Sequence, residues 1–556
     1  MSNTELPGMK FTAEPFRIRA RQRRKLPPCQ AGCPNSGDIR GWLGIIAQHD
    51  KIGLSLDEAY DKAWRKIVDV NPLPATTGRI CPHPCEDRCA RGEKDGAVSI
   101  NAMERFLGDW GISRRLGLPI EPDAFFSESI GVIGSGPASL SFAYQMLRRG
   151  YTVTMYEKHA RPGGMLRYAI PDYRLPREVL DAEVERVLNN GINLLLNTDV
   201  GTDIGLEELR QRHSLMFLGL GAQHGSALGI PGEQGPNVLS GVAYLHKRKQ
   251  HGDAQLGKRV LVIGGGNTAI DAARTARREG AAVTLCYRRS EAEMPAAAHE
   301  VEDARREGVE FRFLASPTRV IRDGDSVRAI EIQKMSLGEA DDQGRPQPVP
   351  IAGRVAELEA DTVIVAVSQE TDLHGLESIH PDHQWLHTAQ DGHLEADLWA
   401  GGDDRGPGIA SRGIAQGRLA AEAAHAALRG EQAAATHTRP IPAAAVKMDY
   451  YPEQSRSGVH RRPAEEWLSS PDREIDQTLD YEQAFREADR CMSCGLCFDC
   501  ELCFMYCSGG GFTRIEKVGP GQYYALALDA CEGCGKCIEL CPCGYLEPRD
   551  DASRYR

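Results

Sequence analysis

Apolar positions recur along the chain in three rhythms. Between Leu54 and Val70 they return at helical spacing with no Gly or Pro to interrupt them, which predicts a helix within a mostly helical N-terminal segment. From residue 129 the pattern becomes short apolar runs closed by glycines. Ser129-Ile130-Gly131-Val132-Ile133 leads into Gly134-Ser135-Gly136-Pro137-Ala138-Ser139, then a helix ending near Gly150 and a strand at Thr152–Tyr156. The same order returns at Arg259–Ile263, Gly264-Gly265-Gly266-Asn267-Thr268-Ala269-Ile270-Asp271, a helix to Gly280 and a strand at Ala282–Cys286. A small-residue helix is expected from about Ile409 to Leu428. After residue 433 the periodicity fades into Pro, Arg and acidic residues, apart from a helix at Tyr481–Asp489. No apolar run approaches the ~18 residues of a membrane span, and the N-terminus lacks the apolar core of a signal peptide.

Strand, glycine turn, helix, strand is the order of a dinucleotide-binding unit. Gly134 permits the tight turn, and Gly136 lets the backbone approach a pyrophosphate at the N-terminus of the helix opened by Pro137 and Ala138. Glu157, about twenty residues on, is placed to accept hydrogen bonds from a ribose. In the second unit Gly264, Gly265 and Gly266 make the turn, and Asn267 and Thr268 open the helix. Its second strand ends in Tyr287-Arg288-Arg289 with no acid. An Arg there can pair bidentately with a 2′-phosphate that an acid would repel, which favours NADPH over NADH. A surface ion pair is the alternative role for Arg288 or Arg289.

Two such folds imply two nucleotides. Leu398-Trp399-Ala400-Gly401-Gly402-Asp403-Asp404 ends a strand at an acid before the small-residue helix. This is similar to flavoproteins with two dinucleotide domains, in which Gly402 and Asp403 would hold the ribityl chain and the helix N-terminus would face the isoalloxazine ring. The resemblance assigns FAD to the first fold and the nicotinamide to the second. Arg161-Pro162-Gly163-Gly164-Met165-Leu166 supports the first site, and Phe217–Ala222 and Val363–Ser368 mark the crossings between domains.

Cysteine usage adds a second kind of chemistry. Eleven of the chain's 17 cysteines lie between residues 491 and 543. There C-x2-C-x2-C-x3-C occurs twice, the spacing of bacterial two-cluster ferredoxins. Three closely spaced thiolates wrap one iron–sulfur cube and the fourth reaches the other. The expected sets are Cys497, Cys500, Cys503 and Cys541, and Cys531, Cys534, Cys537 and Cys507. A disulfide framework suits short secreted chains, and structural zinc prefers paired knuckles around a longer spacer. Cys491, Cys494 and Cys543 exceed the needs of two cubes, as spare thiols or alternate ligands.

Residues ~28 to ~430 resemble the small (β) subunit of bacterial glutamate synthase and its relatives, which include the FAD subunit of NADH-dependent ferredoxin:NADP oxidoreductase and the N-terminal half of dihydropyrimidine dehydrogenase. The resemblance is carried by Cys33-Pro34, Gly78-Arg79-Ile80-Cys81-Pro82, Gly163-Gly164-Met165-Leu166-Arg167-Tyr168, Ile170-Pro171, Tyr173-Arg174-Leu175-Pro176, Gly266–Asp271 and Tyr287-Arg288-Arg289 with Met294-Pro295-Ala296. It implies that Gly164, Met165, Leu166 and Arg167 contact cofactor. It also implies a flavin-proximal cube held by Cys33, Cys81, Cys85 and Glu104, with Cys89 as the alternative fourth ligand. The family's other N-terminal cube lacks its first two cysteines here, which leaves Cys29 and Cys89 as apparent orphans. Three [4Fe–4S] clusters are therefore expected. With its ferredoxin tail the chain looks like the branch containing the NAD(P)H:acceptor oxidoreductase associated with dissimilatory sulfite reductase, and like flavoprotein subunits serving 2-oxoacid:ferredoxin oxidoreductases.

The expected class is α/β, with an FAD domain split around an NAD(P) domain, a helical iron–sulfur domain before them and a ferredoxin-like domain after. The expected bounds are 1–125 for the helical cluster domain, 126–252 and 366–432 for FAD, 253–365 for NAD(P), 433–490 for a linker and 491–556 for the ferredoxin-like domain. With 556 residues and a net charge of −12, nucleic acid is an unsuitable main partner. One basic run, Arg17–Lys25, reads as a solvated segment or a dock for an acidic partner. Cluster-bearing thiols favour the cytoplasm. The expected function is NAD(P)H:acceptor oxidoreductase, an electron-transfer subunit of a hetero-oligomer. Its one-electron partner is ferredoxin or a large redox subunit such as dissimilatory sulfite reductase or a 2-oxoacid:ferredoxin oxidoreductase. A glutamate synthase small subunit and a non-enzymatic electron-conducting adaptor are the alternatives. Cofactors carry the hydride, so no catalytic side chain is assigned.

Overall fold

The computed structural model describes residues 18–341, 344–376, 379, 385–431 and 440–549; Arg17 and the expected boundary at 432/433 lie outside the described residues. The N-terminal segment is helical, with helices at Ile39–Ala47, Leu56–Val68, Pro74–Ile80 and Ile100–Ser113 among others. The helix expected over Leu54–Val70 starts at Leu56 because Ser55 caps it. The Glu58 amide donates to the Ser55 hydroxyl at 3.3 Å, and the Ser55 amide donates to the Glu58 carboxylate at 2.8 Å. Its buried face, Ala59, Tyr60, Ala63, Trp64, Ile67 and Val68, follows the helical period.

The first nucleotide fold is a six-stranded sheet in the order His393–Glu395, Leu398–Ala400, Leu215–Leu218, Ser129–Ile133, Thr152–Glu157, Asn193–Leu196. All its pairings are parallel except that of the His393–Glu395 edge. The chain leaves and re-enters it around a five-stranded parallel sheet, ordered Glu310–Phe313, Ala282–Tyr287, Arg259–Ile263, Thr362–Val365, Val238–Ser240. The interlude is longer than the expected 253–365. Val238–Ser240 pairs with Thr362–Val365, so this strand and its helix Gly241–His251 belong to the second fold. That pairing joins segments more than a hundred residues apart and has no local signature. The crossing is a two-stranded antiparallel ribbon, His224–Gly225 against Gln369–Glu370. A three-stranded antiparallel sheet, Ala315–Asp323, Ser326–Ala340 and Pro346–Glu359, is attached to the second fold.

From residue 440 the segment read as a linker straps the body. Arg461 pairs with Asp303 at 2.6 Å, Glu474 accepts from Arg79 at 2.7 Å, and Trp467, 2% exposed, packs between the guanidinium groups of Arg274 and Arg461. The helix Tyr481–Asp489 follows and inserts Ala484 and Ala488 into the N-terminal core beside Ile39, Trp42, Leu43 and Tyr60. The two ends of the described chain then meet: Ala20–Gln22 pairs antiparallel with Leu546–Pro548. The basic run is spent on this closure. Arg21, Arg23 and Lys25 gather on Glu547, and Arg24 pairs with Asp38. Four of its cations, Arg21, Arg23, Arg24 and Lys25, therefore make internal ion pairs. No helix among the described residues is long and apolar enough to cross a membrane.

Candidate functional site

The first glycine turn forms the floor of an open cleft of about 210 Å³. Gly134 has φ +85°, and a Cβ there would meet the Gly219 carbonyl oxygen at 2.3 Å, so only glycine fits. Gly136, Pro137, Ala138, Glu157, Gly164, Met165, Leu166, Gly402 and Asp403 all line the cleft. Arg167 does not. Its guanidinium donates to the Pro162 carbonyl and pairs with Asp181, so it holds its own loop and is corrected from contact residue to loop anchor.

Ser135, inside the glycine turn, escaped sequence reasoning. Its amide and hydroxyl donate to Glu157 at 3.0 and 2.5 Å, and it accepts from the Gly163 amide at 3.0 Å. The other Glu157 oxygen accepts from the His159 amide at 2.8 Å. Each carboxylate oxygen has two lone pairs, so Glu157 keeps acceptor capacity toward the cleft.

Across the cleft the helix Ala410–Arg429 presents its N-terminus, with no side-chain cap and no acid in its first turn. Ile409, Ala410 and Gly413 line the wall. Free amides and the helix dipole there favour an electron-rich group. The helix approaches closely because it is small-faced: a Cβ on Gly417 would meet the Ala138 carbonyl oxygen at 2.1 Å. Asp403 accepts from the Gly408 amide at 3.1 Å, and burial pushes its carboxyl up to about 6. Its neighbour Asp404, which sequence reasoning passed over, is fully buried and accepts from the Leu220 amide at 3.2 Å.

A second cleft, of about 610 Å³, opens between the two nucleotide folds and the N-terminal helices. Asn267 and Thr268 line it together with Met165, Ile409 and Cys81. Gly264 has φ +147°, and a Cβ on Gly265 would meet the Tyr287 ring at 2.4 Å, so Tyr287 seals the turn from beneath. The two arginines after Tyr287 divide. Arg289 is buried and donates to the Pro346 carbonyl at 2.8 Å, with Asp341 at 3.7 Å. Arg288 is exposed at the strand end. Only Arg288 is free to meet a ligand, so the pair read together from sequence reduces to one.

The cysteines sort into cages by mutual proximity. Cys33, Cys81, Cys85 and Glu104 influence one another: burial, then Cys33 and Glu104, push the Cys85 thiol up, and burial followed by Glu104 takes Cys81 to about 11. Glu104 is steered by Asn71 and Thr77, which donate to the same oxygen at 2.8 and 3.0 Å, leaving its other oxygen for the thiols. Burial pushes its carboxyl up to about 7. Cys81 Sγ lies 3.5 Å from the Ser411 hydroxyl, on the first turn of the helix that walls the first cleft.

At the other end of the chain Cys497, Cys500, Cys503 and Cys541 line one small cavity, and Cys507, Cys531, Cys534 and Cys537 line another. Cys543 sits behind Cys541, sulfur to sulfur at 3.8 Å, and the hydrogen bond between them lowers the Cys541 thiol below its ordinary value. Cys29 and Cys89, expected as orphans, both pack on the core that also receives Cys33, Cys85 and Cys491. Among the described residues no group of His, Cys, Asp or Glu is gathered as a single-ion metal site.

The chain matches the pyridine nucleotide-disulphide oxidoreductase family over residues 128–417 and the dihydropyrimidine dehydrogenase domain II, 4Fe-4S cluster family over residues 20–116. It is 38% identical over 353 residues to the NADPH-Fe(3+) oxidoreductase subunit beta of Geobacter sulfurreducens, covering 62% of this chain and 51% of that protein. It is 33% identical over 510 residues to the NADP(+)-dependent formate dehydrogenase subunit beta of Moorella thermoacetica, covering 84% and 70%. It is 33% identical over 432 residues to the glutamate synthase [NADPH] small chain of Azospirillum brasilense, covering 72% and 86%. The chain thus spans about half the length of the Geobacter protein.

Proposed function

Because this chain belongs to the pyridine nucleotide-disulphide oxidoreductase family and carries 4Fe-4S ligand domains, we propose that it is the electron-transfer subunit of an NAD(P)H:acceptor oxidoreductase. Bound FAD, nicotinamide and [4Fe–4S] cubes would supply hydride acceptance and one-electron transfer. The residues do the positioning. The first cleft, from Gly134 to Asp403, would hold FAD, and Asn267, Thr268 and Arg288 would hold NADPH in the second. Cubes would sit in the cages around Cys33, Cys497 and Cys531.

One observation carries the reading. Met165 and Ile409 line both clefts, so nucleotides held in them would share a wall, and Cys81 of the nearest cage touches Ser411 on the helix forming that wall. Hydride entry and one-electron exit are therefore adjacent. The partner is a one-electron carrier or a larger redox subunit. The similar Geobacter, Moorella and Azospirillum proteins are named as subunits or chains of oxidoreductases and synthases, which supports a hetero-oligomer. A diaphorase assay of the isolated chain, NADPH against NADH with a dye acceptor, tests the reading. Turnover with an NADPH preference is expected, whereas bound FAD without turnover refutes it and favours a conducting adaptor.

A further inference from the structure

Six cysteines stand outside those three cages. Cys543 shares a hydrogen bond with Cys541, and Cys286 is buried in the second nucleotide fold. The other four come from opposite ends of the chain, and we infer that Cys29, Cys89, Cys491 and Cys494 together form a fourth [4Fe–4S] site that bridges the flavin-side cage and the C-terminal pair.

The placement is built by packing. The helix Tyr481–Asp489 docks on the N-terminal core, and Cys491 follows it immediately, its amide donating to Ala488 at 3.1 Å. Arg490, 1% exposed, locks the exit by donating to Glu487 and to the carbonyls of Ala97, Gly96 and Gln454. Arg91 donates to the Arg490 carbonyl at 2.5 Å, tying the chain two residues after Cys89 to the residue before Cys491. On the other side the Lys25 amide donates to Gly495 at 3.1 Å, so the strand leading to Cys29 lies against the residue after Cys494.

The four thiols are in electrostatic reach of one another, and Cys29, Cys89 and Cys491 border one buried core. Burial raises Cys29, and Cys491, Cys89 and Cys494 raise it further. Burial raises Cys494, then Cys491 and Cys89 do the same. Glu104 is the charge that acts on all of Cys33, Cys81 and Cys85.

Arg40 is the second, independent sign of a ligand. It is 1% exposed and forms no ion pair with a carboxylate among the described residues. Its Nη1 donates to the carbonyls of Lys25 and Cys494 at 2.8 and 2.5 Å, and its buried Nε has no partner. The carboxylate that acts on it, Asp38, is already paired with Arg24 and Lys66; a buried cation so weakly compensated is costly, and a thiolate-ligated cube supplies further negative charge. The C-x2-C pair Cys491 and Cys494 gives two adjacent corners, and Cys29 and Cys89 close the set.

The cage also falls where a relay needs one. Cys494 is three residues from Cys497, while Cys29 and Cys89 are each four residues from Cys33 and Cys85. At full extension those Cα separations are at most about 11 and 14 Å. The relay role rests on the proposed oxidoreductase function; the metal site does not.

Iron, acid-labile sulfide and zinc, counted per FAD in the anaerobically purified full chain, test the site. About sixteen irons and sulfides are expected, against about twelve for three cubes. Twelve irons, with or without one zinc, would overturn the fourth cube whatever the diaphorase result. The double variant Cys491→Ser/Cys494→Ser and, separately, Cys29→Ser should each lose about four irons while keeping FAD absorbance. Loss from one end of the chain only refutes a shared site. Arg40→Gln, at full iron content, should shift the same reduced-cluster electron paramagnetic resonance signal that the double variant removes; an unmoved signal refutes the placement of Arg40.

Discussion

Replacing Arg288 with Ala should convert a strong preference for NADPH into near indifference. The side chain follows the strand Ala282–Tyr287, whose Tyr287 ring seals the second glycine turn, so Arg288 lies where the adenosine ribose of a nucleotide laid across that turn would end. It is exposed, whereas neighbouring Arg289 is buried and committed to Pro346 and Asp341. A charge-assisted contact to a 2′-phosphate contributes about 1.5–3 kcal/mol, and solvent exposure sets this one near the middle, about 2 kcal/mol. At about 1.4 kcal/mol per factor of ten, kcat/KM for NADPH should fall about 30-fold. That for NADH should stay within about twofold, because the lost contact is to a group NADH lacks. Raising the salt concentration should shrink the wild-type preference, since an exposed charge pair is screened. Arg289→Ala should instead lower thermal stability by about 1–3 kcal/mol, from the carbonyl it leaves unpaired, without changing the nucleotide ratio. Steady-state diaphorase kinetics with each nucleotide decide it. Equal losses for both nucleotides on Arg288→Ala, or a changed ratio on Arg289→Ala, would refute the assignment.

Further outcomes follow from burial and close contact. Asp403 is held near 6 by burial, above its value in an unfolded chain, so the native state binds the extra proton and stability is lost as pH rises from about 4 through 6. In FAD-stripped protein Asp403→Asn should therefore raise stability at pH 7 by roughly 2 kcal/mol, discounted for partial exposure, and leave pH 4 unchanged in thermal melts. A gain of equal size at both pH values would contradict this. Gly417→Val should reduce FAD content sharply, because its Cβ must displace the Ala138 carbonyl at 2.1 Å and with it the glycine turn; overpacking of this kind costs about 1–3 kcal/mol and is read by flavin absorbance per chain. Trp467→Ala should cost about 3–5 kcal/mol of local stability and release the strap, seen as trypsin cleavage between residues 453 and 475 before the body melts. Protection equal to wild type would show that the ion pairs at Arg461 and Glu474 hold the strap alone.

Some of this molecule is written in contiguous residues. The two dinucleotide folds are legible because each depends on a short run: an apolar strand, glycines that tolerate a positive φ, a helix and a second strand, with spacing fixed by backbone geometry. The ferredoxin spacing is legible for the same reason, since thiols two residues apart reach neighbouring corners of one cube. Glu104 and the Cys33 cage came through likeness to a known family and not from spacing.

Other features arise only when distant segments pack. Sequence cannot distinguish Arg288 from Arg289; the difference appears when the Pro346–Glu359 strand covers one of them. Arg167 reads as a cofactor contact until Asp181 claims it. Val238–Ser240 joins the second sheet through a pairing across more than a hundred residues. Cys491 and Cys494 read as surplus thiols, and Cys29 and Cys89 as remnants, because four hundred residues separate them. The sequence determined which groups can bind nucleotides and iron. The docking of one amphipathic helix, Tyr481–Asp489, and the closure of Ala20–Gln22 on Leu546–Pro548 decided which of them meet, since burial of apolar surface and strand pairing act between segments that no local pattern connects.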